Sequence, residues 1–145
     1  MLVWRLSRKI HADLSGEGAR LVGGRWNSPG RPMVYCAADA SLAMLEVRVH
    51  LDLPFELLPD DYVYSAIETG DAAIEEAGLP ATERECREIG DEWLRACRTP
   101  LLRVPSAIVP LARNILINPL HPEASRISLS ADYPCLFDHR LWRKD

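Results

Sequence analysis

The chain has 145 residues, of which 48% are hydrophobic and 26% are charged. This length and composition predict one ordinary soluble domain with a single core. The net charge is −4 and no run of Lys or Arg is long, so direct binding to nucleic acid is disfavoured.

The first residues and the metal-binding residue types argue against further classes. The opening MLVWRLSRKI lacks the apolar core and cleavage site of a signal peptide, and no apolar run approaches the roughly 20 residues that cross a bilayer. We therefore expect a cytoplasmic protein without membrane contact. The four cysteines form no C-x-x-C pair and the four histidines are scattered, which favours reduced thiols and no metal site.

The N-terminal part predicts two strands separated by a loop. Val3–Leu6 is a short apolar strand, and residues 15–31, rich in Gly, Ser and Pro, form a long loop. Residues 33–37, MVYCA, predict a buried strand. A helix follows directly, capped by Asp39 or Ser41.

The C-terminal part continues this mixture of elements. Residues 62–67, YVYSAI, predict another strand, and Thr82 with Glu85 forms a capping box that opens a helix ending near Arg98. LLRVPSAIVP adds two short apolar runs that flank Pro105 and Ser106, and ILINPLHP predicts another strand, stopped by Pro119 and Pro122. Because there is no regular βαβ alternation, the predicted fold class is α+β.

The helix within DASLAMLEVRVH, residues 39–50, carries a carboxylate on its apolar side. At 100° per residue, one apolar stripe is predicted from Leu42, Leu45 and Val49. Glu46 lies about 40° from Leu42, whereas Met44 and Arg48 point away. A buried carboxylate is costly unless it is paired or hydrogen-bonded. Glu46 is therefore a structural ion pair or edge residue, or it lines a cleft where positive charge develops.

Two arginines are candidates for binding an anion. Arg5 lies between apolar neighbours, and its guanidinium either points outward from a half-buried strand or forks onto phosphate or carboxylate. Arg25 lies in GGRWNSPG, residues 23–30, where glycines allow the backbone to approach a ligand closely. A plain loop is the alternative for that segment.

Tyr35 and Ser106 are candidates for a pocket. Tyr35 is either a core residue with a satisfied hydroxyl or a ring on which a flat heterocycle stacks. Ser106 has no G-x-S-x-G setting and no nearby histidine, so a hydrogen-bonding serine is favoured over a hydrolase nucleophile.

The order and spacing of these signals resemble the RES domain. The resemblance is carried by Arg5, by GGRWNSPGRPMVYCAADASLAMLEVRVH, and by VPSAIVP followed by NILINPLHP. It runs from about residue 3 to about residue 143, so residues 1–145 are predicted to form one RES domain. The family resembles ADP-ribosyltransferases of the diphtheria-toxin type, which implies a mixed β-sheet core with flanking helices.

The resemblance also implies an activity and a site. RES domains are the toxins of bacterial RES–Xre toxin–antitoxin pairs; they consume NAD by hydrolysis or phosphorolysis, and at least one type modifies a protein. By motif, Glu46 would stabilise the ribosyl cation, while Tyr35 would stack on nicotinamide. Arg5 and Arg25 would hold the pyrophosphate, with neither known to dominate, and Ser106 would hold the carboxamide or a ribose oxygen.

The same resemblance implies a partner and leaves the acceptor open. The partner would be an Xre-type helix-turn-helix antitoxin that covers the NAD cleft and supplies any DNA contact, in a toxin–antitoxin hetero-oligomer. The acceptor is water, phosphate or a protein side chain. Two competing hypotheses are a non-catalytic binding module and a sugar or nucleotide hydrolase, although the hydrolase lacks a second carboxylate at a recognisable spacing.

Overall fold

A seven-stranded sheet organises residues 1–143, the part of the chain that the computed structural model describes. The strands are β1 Leu2–Arg8, β2 Val34–Ala37, β3 Tyr62–Glu68, β4 Ile74–Glu76, β5 Leu101–Pro105, β6 Arg113–Ile117 and β7 Ser128–Pro134. The α-helices are α1 Glu17–Val22, α2 Ala40–Arg48 and α3 Glu83–Ala96. The α+β class, with a mixed sheet and flanking helices, is confirmed. Within these residues every helix is too short or too polar to span a bilayer.

The sheet is weakest at its centre. Its strand order is β4-β5-β6-β2-β1-β3-β7, and all neighbours are antiparallel except β4 and β5. β1 pairs with β3 along its whole length but with β2 only at Trp4 and Ala37. Continued in register, Leu6 would lie beside Tyr35, yet these residues are unpaired. The two halves of the sheet therefore diverge between Arg5 and Tyr35.

The two faces of the sheet have different coverings. One face carries an apolar cluster that includes Val3, Cys36 and Ile115, covered by Leu14 from a loop. The other face packs against α2 and α3. Residues directly opposite each other in a strand pair share a face, and the side chains alternate along each strand.

This alternation separates the predicted site residues. Ala37 is opposite both Trp4 and Asn114, so these three side chains share the face that α2 covers. Tyr35, two residues before Ala37, lies on that face too. Arg5 follows Trp4 and therefore lies on the opposite face.

The buried side of α2 differs from the predicted stripe. Its members are Leu42, Ala43, Met44 and Val47. Leu45 is 39% exposed and Val49 51% exposed, so only Leu42 of the predicted stripe is buried. Met44, predicted to point away, packs on the core instead. Because nearly every position of α2 is apolar or small, the helical wheel could not distinguish two neighbouring faces.

The remaining predictions of helices and strands are partly confirmed and partly wrong. β1, β2, β3 and α3 agree with the sequence to within a few residues. The Asp39 side chain accepts a hydrogen bond from Leu42 N, and that of Thr82 accepts one from Glu85 N, as expected of caps. The predicted loop 15–31 contains α1, a correction to the expectation of irregular structure. β4 and β7 were not anticipated.

α3 anchors the glycine-rich loop formed by residues 23–30. Asp91 accepts hydrogen bonds from the backbone N and the hydroxyl of Ser28, at 2.8 and 2.6 Å. One position earlier, a Cβ on Gly90 would lie 1.7 Å from the carbonyl oxygen of Trp26. Only glycine allows the helix to approach the loop so closely.

We expect Gly90→Ala to destabilise the fold by at least about 2 kcal/mol, because the loop and α3 must separate to admit the methyl group. The measurement is the free energy of unfolding in urea. Gly18→Ala is the matched control, since a Cβ there meets nothing within 4 Å and alanine is favoured inside a helix. Equal stability of the two variants would contradict the close contact.

Candidate active site

Glu46 is held by two hydrogen bonds that end on the same oxygen. Its Oε1 accepts from Ser106 Oγ at 2.7 Å and from Asn114 Nδ2 at 2.8 Å. Glu46 is half-buried, and no ion pair within residues 1–143 includes it. Its charge is therefore solvated by neutral donors but not cancelled by a cation. The ion-pair alternative does not apply within the described residues.

Ser106 has every hydrogen-bonding position of its hydroxyl occupied. It lies just after β5, is 3% exposed, and donates its proton to Glu46. Its Oγ accepts from the backbone N–H groups of Ile108 and Val109, each at 3.1 Å. A hydroxyl has one proton and two lone pairs. This geometry leaves no position for a substrate atom and fixes Ser106 as a support for Glu46.

Asn114 begins the NILINPLHP motif and is a further contact of Glu46 that the sequence did not predict. It lies at the start of β6, opposite Ala37 of β2 and Val104 of β5. Its Nδ2 bonds Glu46, while its Oδ1 is buried without a partner among residues 1–143. One signal could have identified it: a polar side chain begins the strand-like run NILI, on the same face as Leu116.

Tyr35 connects the sheet to the glycine-rich loop. Its hydroxyl donates to Asn27 Oδ1 at 2.7 Å and accepts from Trp26 N at 3.0 Å. A Cβ on Gly24 would lie 2.5 Å from that hydroxyl oxygen, so glycine is needed there. Burial, through desolvation of the phenolate, raises the pKa of Tyr35 above its ordinary value. The hydroxyl is thus satisfied within the protein, as the core alternative predicts.

The two candidate arginines occupy different surroundings. Arg5 is half-buried, and its Nη1 donates to the carbonyl oxygens of His11 and Asp13 at 2.6 and 3.0 Å. Carbonyl groups do not neutralise its charge, and its other guanidinium N–H groups bond no acceptor in the described residues. Arg25 is exposed on the anchored loop, and within residues 1–143 it forms no ion pair. Neither arginine forms an ion pair within those residues.

The structure thus brings some predicted residues together and separates others. Glu46 and Ser106 are in direct contact, and Tyr35 lies on the same sheet face. Arg25 belongs to the loop that Tyr35 holds. Arg5 lies on the opposite face, across the divergence of β1 and β2. Among residues 1–143, no group of three or more His, Cys, Asp or Glu side chains could hold a metal ion.

Comparisons with known proteins are consistent with one another. The RES domain model matches residues 2–138. "Toxin Res" of Pseudomonas putida is 40% identical over 139 residues, covering 91% of this chain and 94% of that protein. The "Prs ADP-ribosylating toxin" of a Sphingobium species is 38% identical over 156 aligned positions, covering 97% and 96%.

A solved structure supports the fold. The M. tuberculosis MbcT–MbcA toxin–antitoxin complex contains a chain that matches with a TM-score of 0.74 at 21% identity, covering 92% of this chain and 83% of that one. At that identity the likeness concerns the fold alone.

We expect Tyr35→Phe to lower the free energy of unfolding by about 2 kcal/mol, because the buried Trp26 backbone N–H and the side-chain Oδ1 of Asn27 both lose their partner. Hydrogen exchange at the Trp26 amide should also accelerate. Tyr133→Phe is the control, because Tyr133 is 50% exposed on the edge strand β7. Unchanged exchange at Trp26 would show that the hydroxyl does not hold the loop.

Proposed function

The chain belongs to the RES domain family, and from that premise we propose that it is the toxin of a toxin–antitoxin pair that consumes NAD by cleaving the nicotinamide–ribose bond. Hydrolysis would release ADP-ribose, and phosphorolysis would release ADP-ribose 1″-phosphate. The observation that carries the proposal is Glu46, a half-buried carboxylate fixed by two neutral donors and paired with no cation of residues 1–143.

The chemistry of the bond explains why such a carboxylate is useful. As nicotinamide leaves, positive charge builds up on the ribose ring, and a fixed negative charge nearby stabilises that transition state. A lysine or arginine bound to Glu46 would cancel this effect. Since Oε1 is occupied by Ser106 and Asn114, the other oxygen, Oε2, is the one that faces the ribose in this proposal.

The remaining roles follow from which groups are free. Ser106 acts through Glu46 and does not bind the carboxamide or a ribose oxygen, because its hydroxyl is fully used. Tyr35 offers its ring rather than its hydroxyl, and the ring face would stack on the cationic nicotinamide. We therefore keep Glu46 as the catalytic residue, Tyr35 as a nicotinamide-binding residue and Ser106 as a positioning residue.

Arg5 and Arg25 are proposed to bind the pyrophosphate. Neither forms an ion pair with a carboxylate of residues 1–143, and guanidinium groups fork onto phosphate oxygens. They flank the region where β1 and β2 diverge, Arg5 from β1 and Arg25 from the loop that Tyr35 anchors. A dinucleotide crossing this divergence would meet both cations.

A second candidate function is transfer of ADP-ribose to a protein side chain. It is favoured by the name of the Sphingobium relative, an ADP-ribosylating toxin that matches almost the whole chain. The bond cleaved and the role of Glu46 would be the same, and only the acceptor would differ. A non-catalytic binding module gives no reason for a carboxylate held so firmly without a counter-ion.

We also propose a cognate antitoxin of the Xre type with a helix-turn-helix region. Support comes from the similar MbcT–MbcA structure, which is that of a toxin–antitoxin complex. With a net charge of −4, this chain would leave DNA contact to the antitoxin. The antitoxin would cover the NAD cleft, so adding it in purified form should stop nicotinamide release.

Glu46→Gln should reduce nicotinamide release from NAD at least about 100-fold, because the charge disappears while the amide oxygen still accepts from Ser106 and Asn114. The fold should persist. Chromatography of the products, with and without phosphate, measures the rate and identifies the acceptor. Glu56→Gln, an exposed glutamate in the 3-10 turn Phe55–Leu57, is the matched control. Wild-type turnover by the Glu46 variant would refute the mechanism.

Arg25→Ala should raise the KM for NAD roughly tenfold, since one charge-assisted contact to the pyrophosphate is lost. The effect should vanish when nicotinamide riboside, which lacks the pyrophosphate, replaces NAD. Arg31→Ala is the matched control, because Arg31 is also an exposed arginine and directly follows the same loop. If the two variants have the same KM for NAD and the same KM for nicotinamide riboside, Arg25 does not bind the phosphates.

A further inference from the structure

Asn114 contacts the proposed catalytic carboxylate from a strand that is paired on both sides. Its backbone lies in β6 between Ala37 of β2 and Val104 of β5, so its position is fixed by the sheet. Its Nδ2 lies 2.8 Å from Glu46 Oε1. The residue begins the motif NILINPLHP.

We propose that Asn114 is a positioning residue whose amide selects the carboxylate oxygen of Glu46 that faces the substrate; this inference rests on the proposed cleavage of NAD. A glutamate on a helix turns about three side-chain bonds. One hydrogen bond from Ser106 would leave the carboxylate free to swing about Oε1. A second donor from a different strand fixes its plane, as a reaction that depends on orientation requires.

The orientation of the amide itself supports this role. Turning the Asn114 amide by 180° would direct its carbonyl oxygen at the Glu46 carboxylate, where two acceptors would face each other. The amide nitrogen must therefore point to Glu46, and Oδ1 is left buried without a partner in residues 1–143. Leaving a buried acceptor without a partner costs free energy. The contact to Glu46 determines the amide orientation at the expense of Oδ1.

The two arginines closest to Glu46 and Asn114 in sequence do not bond the Glu46 carboxylate. Arg113 precedes Asn114, but its Nη1 donates to the carbonyl oxygens of Pro110 and Ala112. Arg48, on the same helix as Glu46, donates to the carbonyl oxygens of Leu51 and Leu141. Within residues 1–143, the hydrogen bonds to the Glu46 carboxylate therefore come from Ser106 and Asn114 and not from an arginine.

The test replaces Asn114 by aspartate and by alanine and follows kcat and KM for NAD against pH. At about pH 8, Asn114→Asp places a second carboxylate against Glu46, and kcat should fall about 10- to 100-fold while KM changes less than about twofold. When the pH is lowered far enough for the two carboxyl groups to share one proton, the hydrogen bond re-forms and kcat should partly recover. Asn114→Ala should lose kcat without recovering at low pH.

Asn118→Asp is the matched control, because it makes the same substitution beyond the other end of β6, where the side chain bonds Cys97 and the Leu120 backbone. It should lower the thermal midpoint yet keep the shape of the wild-type pH profile. A wild-type pH profile for Asn114→Asp, or a loss confined to KM, would overturn the positioning role alone. Absence of nicotinamide release by the wild-type protein would instead remove the proposed function and the inference together.

Discussion

The site depends on one carboxylate whose charge is stabilised without being neutralised. Glu46 receives two hydrogen bonds from neutral groups, and no lysine or arginine of residues 1–143 pairs with it. A salt bridge in this position would also hold the side chain, but in the proposed cleavage of NAD it would weaken the field that the ribosyl cation experiences. The fold meets this requirement with α2, which starts at the Asp39 cap and packs on β1, and with the donors Ser106 and Asn114.

A second constraint concerns the loop that carries Arg25. The loop is bonded to the sheet through Tyr35 and to α3 through Asp91, and both contacts need a neighbouring glycine that permits a close approach. A cation on a mobile loop would lose conformational entropy when it binds phosphate, whereas an anchored loop has already lost most of it. Tyr35, which bonds this loop, lies in the part of β2 that is not paired with β1.

Local patterns predicted most of the regular elements, but long-range pairing determined the site. A short apolar run predicted β1, alternation predicted β3, and a capping box predicted α3, because these signals lie within a few neighbouring residues. α1 was missed because its six residues follow glycine-rich sequence, and β7 because an exposed edge strand has little apolar pattern. Resemblance to a family brought Glu46 and Ser106 together. Asn114 joins them only through the register of β6 with β2 and β5, which no local pattern contains.

In the proposed reaction, Ser106 would act through Glu46 without touching the substrate. Two backbone N–H groups, from Ile108 and Val109, donate to its oxygen, and this polarises the O–H group that donates to Glu46. Hydrogen bonds in such a chain strengthen one another. The turn after β5 is therefore connected to the carboxylate through a single hydroxyl. A shift of the backbone at Ile108 or Val109 would alter the hydrogen bond to Glu46 without changing any side chain at the site. Ser106 thus links the backbone turn at Ile108 and Val109 to the Glu46 carboxylate.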